Sequence, residues 1–371
     1  MMLDLEKRWI MSIIAKKQVL GHIGPGTDNQ RNSEGDFIQI NEKQILFAYS
    51  RFKEKSFHDN AESDIAGIVL HNNAEKLDLS YSILKKASDM GVENLMSVSF
   101  LRMLNGDIGM FYIKKLPSVK SQIMLSRSSD GCRTFYDDRI CCPIVFEGYY
   151  VLNNNRVMRL SNNRIIIPLS CHMTNIIDKK TYFDERGIVY FYYSDDDGLT
   201  WNRSKSMLSL PSQHTRTGLQ EPGVIELPNN CLYAYFRTDQ MLQYESFSYD
   251  MGINWTLPQP SKFTSPDSPM KIAKNPYSNK YYAVWNPVPN YNGRVKERYA
   301  WGRTPLAIAS SDNGIDFSEP ELIEDDPSRG FCYPSIFFID DKNMLLSYCS
   351  GGAEEKACLC RITITKLTVN L

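Results

Sequence analysis

Little in this chain of 371 residues marks it for a metal, a membrane or a polyanion. Its five histidines, at 22, 58, 71, 172 and 214, are dispersed and show no metal-ligand spacing. Its nine cysteines contain no CxxC pair; the nearest approaches are Cys141-Cys142 and Cys358-x-Cys360. They read as buried free thiols and not as a disulfide framework or metal ligands. No apolar run is long enough to cross a bilayer. A formal charge of −1 leaves no excess of either sign to hold a nucleic acid or an acidic surface. The 18 prolines and 21 glycines are scattered, with no linker-like cluster, so no second domain is indicated. The first residues carry Asp4, Glu6, Lys7 and Arg8 ahead of a short apolar run, unlike a secretory leader, and the expectation is a cytoplasmic location. No cofactor is implied, and the oligomeric state is left open.

What is present is a repeat. Three segments follow Ser-x-Asp-x-Gly-x-(Thr/Asn/Asp)-(Trp/Phe): 194–201 (SDDDGLTW), 248–255 (SYDMGINW) and 310–317 (SSDNGIDF). A fourth, 128–135 (SSDGCRTF), has Cys132 in place of the Gly. The Asp and the Gly suit a tight turn, because Asp bonds its own backbone and Gly tolerates positive φ. Successive starts lie 66, 54 and 62 residues apart, which places a decayed copy at 72–79 (NNAEKLDL). A closing segment at 331–369 completes six units, each long enough for four short strands. The expected fold is all-β, a six-bladed β-propeller over 1–371, with residues 1–20 closing the last blade.

The remaining pattern is nearly all strand. DFIQI, KQILFAYS, GVIEL, CLYAYF, SIFFI and MLLSYC are apolar or alternating runs bounded by Asn, Asp, Gly or Pro. Residues 80–92 fit a turn of helix or a strand and loop equally well.

Propeller strands that begin at the central axis bring residues from distant blades together. Residues just before such strands are therefore the candidates for chemistry. Arg31 precedes GDFIQI, Glu221 precedes GVIEL, Arg303 precedes LAIA and Tyr333 precedes SIFFI, while Arg237 ends YAYFRT. Three guanidiniums, a carboxylate and a phenol are thus expected at one end of the axis.

These motifs and this residue order resemble the bacterial exo-α-sialidases, glycoside hydrolases with Asp-box repeats, over roughly residues 25–365. The resemblance implies that Arg31, Arg237 and Arg303 grip a sugar carboxylate through charge-assisted hydrogen bonds. It implies Tyr333 as nucleophile, the known exception to a carboxylate in that role, with Glu221 as its base. An acid/base Asp is implied on the loop SRFKEKSFHDNAESDIAG, which offers Asp59 and Asp64. Asp59 lies mid-loop and is preferred; Asp64 abuts the strand IAGIVL. The usual Arg-Ile-Pro of the family reads Arg31-Asn32-Ser33 here.

Further substrate contacts are expected from Asn155 and Arg156, ahead of a strand pair; Arg51, which resembles Arg237 by position, is expected either to contact the substrate or to form a salt bridge within the site wall. The expected activity is retaining hydrolysis of terminal sialic acid from glycans or sialosides without a metal. Two alternatives stand beside it: a hydrolase for another acidic nonulosonic sugar, and a non-catalytic glycan-binding propeller. The presence of Asp59, Glu221 and Tyr333 together weighs against the last.

Overall fold

The computed structural model describes residues 12–53, 56–71, 75–143, 148–177, 180–211, 213–287 and 297–370. Within them the apolar runs form six antiparallel sheets. The first strand, β1 (Ile14–Ile23), is taken up by the last sheet. Blade I is β2 (Asn29–Asn41), β3 (Gln44–Lys53), β4 (Ser63–His71) and β5 (Tyr81–Lys85). Blade II is β6 (Leu95–Arg102), β7 (Ile108–Leu116), β8 (Lys120–Ser128) and β9 (Tyr136–Ile140). Blade III is β10 (Gly148–Val151), β11 (Met158–Arg159), β12 (Ile165–Ile177), β13 (Lys180–Ser194) and β14 (Asn202–Arg203). Blade IV is β15 (Gln220–Glu226), β16 (Leu232–Arg237), β17 (Leu242–Ser248) and β18 (Gln259–Thr264). Blade V is β19 (Lys271–Lys274), β20 (Tyr281–Trp285), β21 (Leu306–Ser311) and β22 (Glu321–Glu324). Blade VI is β23 (Cys332–Phe338), β24 (Asn343–Cys349), β25 (Ile362–Val369) and then β1, antiparallel to β25.

The first strands of neighbouring blades touch around the axis: β2 meets β6 and β23, and β19 meets β15 and β23. This is the six-bladed β-propeller. Both faces of each blade pack against the next, so the middle strands are apolar on both sides and read as continuous runs. Phe191 of blade III stacks on Trp255 of blade IV at 3.9 Å, one such inter-blade contact.

The Asp-box segments are the connections from the third to the fourth strand of a blade. In 194–201, Asp196 accepts from the Thr200 backbone N–H at 2.8 Å, and Ser194 Oγ accepts from Gly198 N–H at 2.8 Å. Asp130 and Asp250 do the same work in their turns, and Cys132 N–H reaches Ser128 Oγ despite the lost glycine. The segment at 310–317 is shifted by one residue. Ser311 and Asn313 close that turn, through Gly314 N–H to Ser311 Oγ and Asp316 N–H to Asn313 Oδ1, while Asp312 pairs with Lys280. The decayed copy at 72–79 falls in the corresponding connection of blade I, although 72–74 lie outside the described residues. Residues 80–92 hold both β5 and a short 3-10 turn, Ser88–Met90.

One assignment of the axis changes. LAIA belongs to β21, the third strand of blade V, and the axial strand is β19. Arg303 therefore enters from a connection between second and third strands, as Asp59 does in blade I. Antiparallel strands alternate direction, so these connections open on the same face as the starts of the axial strands. The Asp-box turns lie at the opposite end.

Candidate active site

The axial strands share a local irregularity that aims side chains at the axis. Register shifts interrupt β2 between Ser33 and Asp36, β6 between Met96 and Ser99, β15 between Gln220 and Gly223, and β23 between Cys332 and Ser335. At each bulge a non-glycine residue has left-handed φ: Glu34 at 57°, Ser97 at 57°, Glu221 at 49° and Tyr333 at 54°. A bulge of this kind re-aims one side chain out of the pleat at a conformational cost of about 1–3 kcal/mol. Gly223, two residues after Glu221, lets the Tyr235 ring lie against the backbone just past the bulge, since a Cβ there would meet that ring at 2.1 Å.

Two of these residues meet. Tyr333 Oη donates to Glu221 Oε1 at 2.6 Å. Arg237, at the end of β16, holds the same oxygen at 2.8 Å and turns its Nε to Asp267 at 2.5 Å. Glu221 Oε2 is buried and has no partner among the described residues. Burial pushes the Tyr333 phenol well above its usual range, and the Glu221 charge adds to this.

Arg31 is 1% exposed and occupied on every side. Its Nε donates to Ser33 Oγ at 2.8 Å and Nη2 to Glu34 Oε1 at 2.8 Å. Nη1 reaches Asp59 Oδ1 at 2.5 Å and the Phe57 carbonyl at 3.3 Å, with the Phe52 ring 4.3 Å away. Ser97 Oγ donates to the other Glu34 oxygen. Burial outweighs the pull of Arg31 and raises the Glu34 carboxyl above its usual range. The Asp59 carboxyl loses part of its hydration to the packed groups around it, but Arg31 and Lys115 outweigh this and hold it below the usual range. The Asp59 side chain is 61% exposed, at the rim.

Arg303 rests on sulfur instead. Its Nη1 donates to Cys332 Sγ at 3.4 Å and its Nε to the Asp267 carbonyl at 3.3 Å. Cys332 pairs across the ladder with Cys349 and packs with Cys358. Burial would raise the Cys332 thiol, but hydrogen bonds from Cys349 and Cys358 and the Arg303 charge bring it well below its usual range. All nine cysteines are free, eight of them buried.

A cavity of about 360 Å³ opens above this cluster, with Glu34, Asp59, Ser97, Glu221, Arg237 and Tyr333 in its wall. Each guanidinium has five N–H groups. Arg31 spends four on protein partners; Arg237 and Arg303 spend two each. Of the three, Arg237 is the one in the cavity wall; Arg31 and Arg303 lie buried behind it.

A BNR repeat-like domain model matches residues 83–345. The chain belongs to the BNR repeat-like family. No curated protein matches it in sequence. Among solved structures, a Dyadobacter fermentans protein of unknown function aligns with a TM-score of 0.71 at 15% identity, covering 96% of this chain and 100% of that one. A Hadza microbial sialidase aligns at 0.68 and 15% identity, over 93% of this chain and 68% of that one. The NanB sialidase of Streptococcus pneumoniae aligns at 0.68 and 12% identity, over 95% and 70%. At such identities the likeness is one of fold, and the fold of this BNR repeat-like chain is sialidase-like.

In this BNR repeat-like propeller the sequence-derived candidates divide. Asp59, Glu221, Tyr333, Arg31, Arg237 and Arg303 converge on one cluster. Asp64 does not: it accepts from the Ala87 backbone at 2.8 Å on β4. Arg51 lies outside the cavity wall, paired with Asp28 and stacked over Tyr81 at 4.8 Å. Asn155 and Arg156 knit the blades along the axis. Asn155 donates to Asp36 at 2.7 Å, and Arg156 donates to the Met270 carbonyl at 2.5 Å and stacks on Tyr235. Their backbone interrupts the axial strand of blade III between β10 and β11, which is why they looked like a strand entry. Arg51, Asn155 and Arg156 thus lie outside the cavity wall in this structure, Arg51 in an ion pair, which was the other role expected of it. Glu34 and Ser97 were missed. Aligning GDF and SVSF with the GVIEL and SIFFI entries, bulge to bulge, is the signal that would have found them.

Proposed function

We propose that the chain is a retaining exo-α-sialidase. The observation that carries this reading is the Tyr333–Glu221 hydrogen bond of 2.6 Å beside Arg237 and Arg303. A phenol is a poor nucleophile until its proton is taken, and here a carboxylate that already accepts from it stands ready to take it. An anionic nucleophile would be repelled by a carboxylate on the anomeric carbon; a neutral phenol is not. Arg237 and Arg303 offer their free N–H groups to that carboxylate, and Arg31 completes the grip with its remaining donor.

In the first step the Tyr333 oxygen bonds to the anomeric carbon as the glycosidic C–O bond breaks. Glu221 receives the phenol proton and Asp59 protonates the leaving oxygen. In the second step water attacks the same carbon, Asp59 takes its proton, and Tyr333 regains its own from Glu221. Two inversions give net retention. Asp59 can deliver a proton only after its bond to Arg31 loosens. An arriving substrate carboxylate competing for Arg31 supplies the cause.

One observation favours a second reading. Glu34 places a carboxylate in the cavity wall beside Arg31 and Ser97. A related acidic nonulosonic sugar that presents an N–H or O–H to Glu34 would fit this wall.

The test is release of 4-methylumbelliferone from its α-sialoside. Wild type should turn over, Tyr333→Phe should lose most activity, and Asp59→Ala should keep more on this substrate than on a natural sialoside. Absence of wild-type turnover with binding of free sialic acid would favour a glycan-binding propeller. Absence of both would shift the weight to the other acidic sugar.

A further inference from the structure

Blade V enters the axis through residues 265–270, between β18 and β19, on the face where the other axial strands begin. This entry brings a carboxylate, Asp267, into the cavity wall, where its side chain is 36% exposed. Asp267 meets two guanidiniums through two different atoms. Its carboxylate accepts from Arg237 Nε at 2.5 Å, and its backbone carbonyl accepts from Arg303 Nε at 3.3 Å. Arg237 and Arg303 are like charges, and their repulsion must be offset if both are to serve one ligand. We propose that Asp267 is a positioning residue: it fixes Arg237 and Arg303 together for a ligand carboxylate, and it shares the Arg237 charge with Glu221. This rests on the sialidase reading above.

The entry that carries Asp267 is a rigid bracket. Pro266 and Pro269 fix φ on either side of it. Ser265 N–H donates to the Met241 carbonyl at 3.0 Å, and the buried Gln243 Nε2 donates to Ser265 Oγ and to the Ser268 carbonyl, both at 2.9 Å. Ser268 Oγ donates to Asn286 Oδ1 at 2.7 Å. Asn286 Nδ2 donates in turn to the Pro305 carbonyl at 2.7 Å and to the Phe331 carbonyl at 2.9 Å. Pro305 follows closely on Arg303, and Phe331 closely precedes Tyr333. One buried network therefore sets Asp267, Arg303 and the phenol relative to one another.

The charge of Asp267 acts as well as its place. Packed groups take part of its hydration, but Arg237 and Arg303 outweigh this, against Asp239, and hold the carboxyl below its usual range. Arg237 thus lies between two carboxylates, Glu221 at 2.8 Å and Asp267. A cation shared in this way draws less on Glu221, which has the phenol proton to take. The same charge also repels: a ligand carboxylate that reaches Arg237 meets Asp267 beside it. The geometry of Asp267 favours binding and its charge opposes it, so the two effects can be separated.

Asp267→Asn keeps an acceptor for Arg237 Nε and removes the charge; Asp267→Ala removes both. The measurements are the Kd of free sialic acid by calorimetry, or its inhibition constant in the kinetic assay, and kcat on an aryl α-sialoside. Asp267→Asn should bind sialic acid about threefold more tightly, the repulsion being gone, and lower kcat about fivefold, since the Arg237 charge then falls wholly on Glu221. Asp267→Ala should bind about tenfold more weakly, because the guanidinium loses a charge-assisted hydrogen bond that held it. Opposite movements of Kd are the expected result, and a merely structural residue would not give them. A Kd unchanged in both variants, or weakened alike in both, would overturn the proposal. Should Asp267→Ala fail to fold, Asp267→Asn decides alone: tighter binding supports the role, and equal or weaker binding overturns it. Wild type that binds sialic acid but turns over no α-sialoside fails the sialidase reading, and the calorimetry still judges Asp267. Neither binding nor turnover would overturn the proposal too, because no carboxylate is then gripped.

Discussion

Tyr333 and Glu221, 112 residues apart in the chain, share a 2.6 Å hydrogen bond at the axis. Arg237 holds the same carboxylate oxygen, so the phenol, the base and a cation form one unit. Glu221→Gln keeps the shape and removes the basicity. It should lower kcat by at least about a hundredfold, in the range of general-base loss, and lower the melting temperature without unfolding the protein at assay temperature, because Arg237 loses a counter-charge. Steady-state kinetics on an aryl α-sialoside together with a thermal melt checks this; full activity would remove Glu221 from the role.

Glu34 shares Arg31 with Asp59. Glu34→Ala leaves a buried guanidinium with one fewer counter-charge and should destabilise the fold by about 3 kcal/mol. Glu34→Gln should lose less, because its amide oxygen still accepts from Arg31 and its NH2 can donate to Ser97 Oγ in place of the bond that Ser97 donated. Urea denaturation of the two variants measures the difference, and equal losses would show that packing and not charge is responsible.

Cys332 is the sulfur against which Arg303 rests. Cys332→Ala should raise KM for an aryl α-sialoside about fivefold, equivalent to about 1 kcal/mol for one lost hydrogen bond. Cys332→Ser should recover part of it. An unchanged KM in both variants would mean that Arg303 is positioned by the Asp267 carbonyl and by packing alone.

Lys271 donates to the Asn155 carbonyl near the axis, where burial lowers its ammonium to about 7, Arg156 adding to this against Asp36. Between pH 7 and about 10.5 the unfolded chain holds a proton here that the folded chain has given up, so this residue costs stability that returns as pH rises. Lys271→Met should therefore gain stability over wild type most at neutral pH, and the gain should shrink toward pH 10. Paired thermal melts at pH 7 and pH 9.5 would test this; a constant difference would show that Lys271 stays charged in the folded chain.

The legible part of the molecule was its repetition. The Asp-box turns act within a few residues of themselves, so Asp196 and Thr200 could be matched by spacing alone. The same is true of runs such as KQILFAYS, whose middle strands are buried on both faces. Blade V shows the limit. Its box closes on Ser311 and Asn313, although Ser310 and Asp312 are the residues that match the pattern, and only backbone geometry chooses between the neighbouring pairs. LAIA was read as axial for a related reason: strand order within a blade leaves no mark on the apolar pattern.

Residue type and order selected the propeller and five members of the central cluster, since turn chemistry and strand periodicity are local properties; Asp59 came with the family resemblance. Only the tertiary structure decided which side chains face the cavity. Bulges with left-handed φ turn Glu34 and Ser97 inward. Cross-blade hydrogen bonds draw Asn155 and Arg156 into the axis instead. Two carboxylates nearly saturate Arg31, whereas Arg237 pairs with Glu221 and Asp267 through single N–H groups and Arg303 rests on a thiol and a carbonyl. Each outcome depends on partners from other blades, many tens of residues away, and no local pattern encodes those distances.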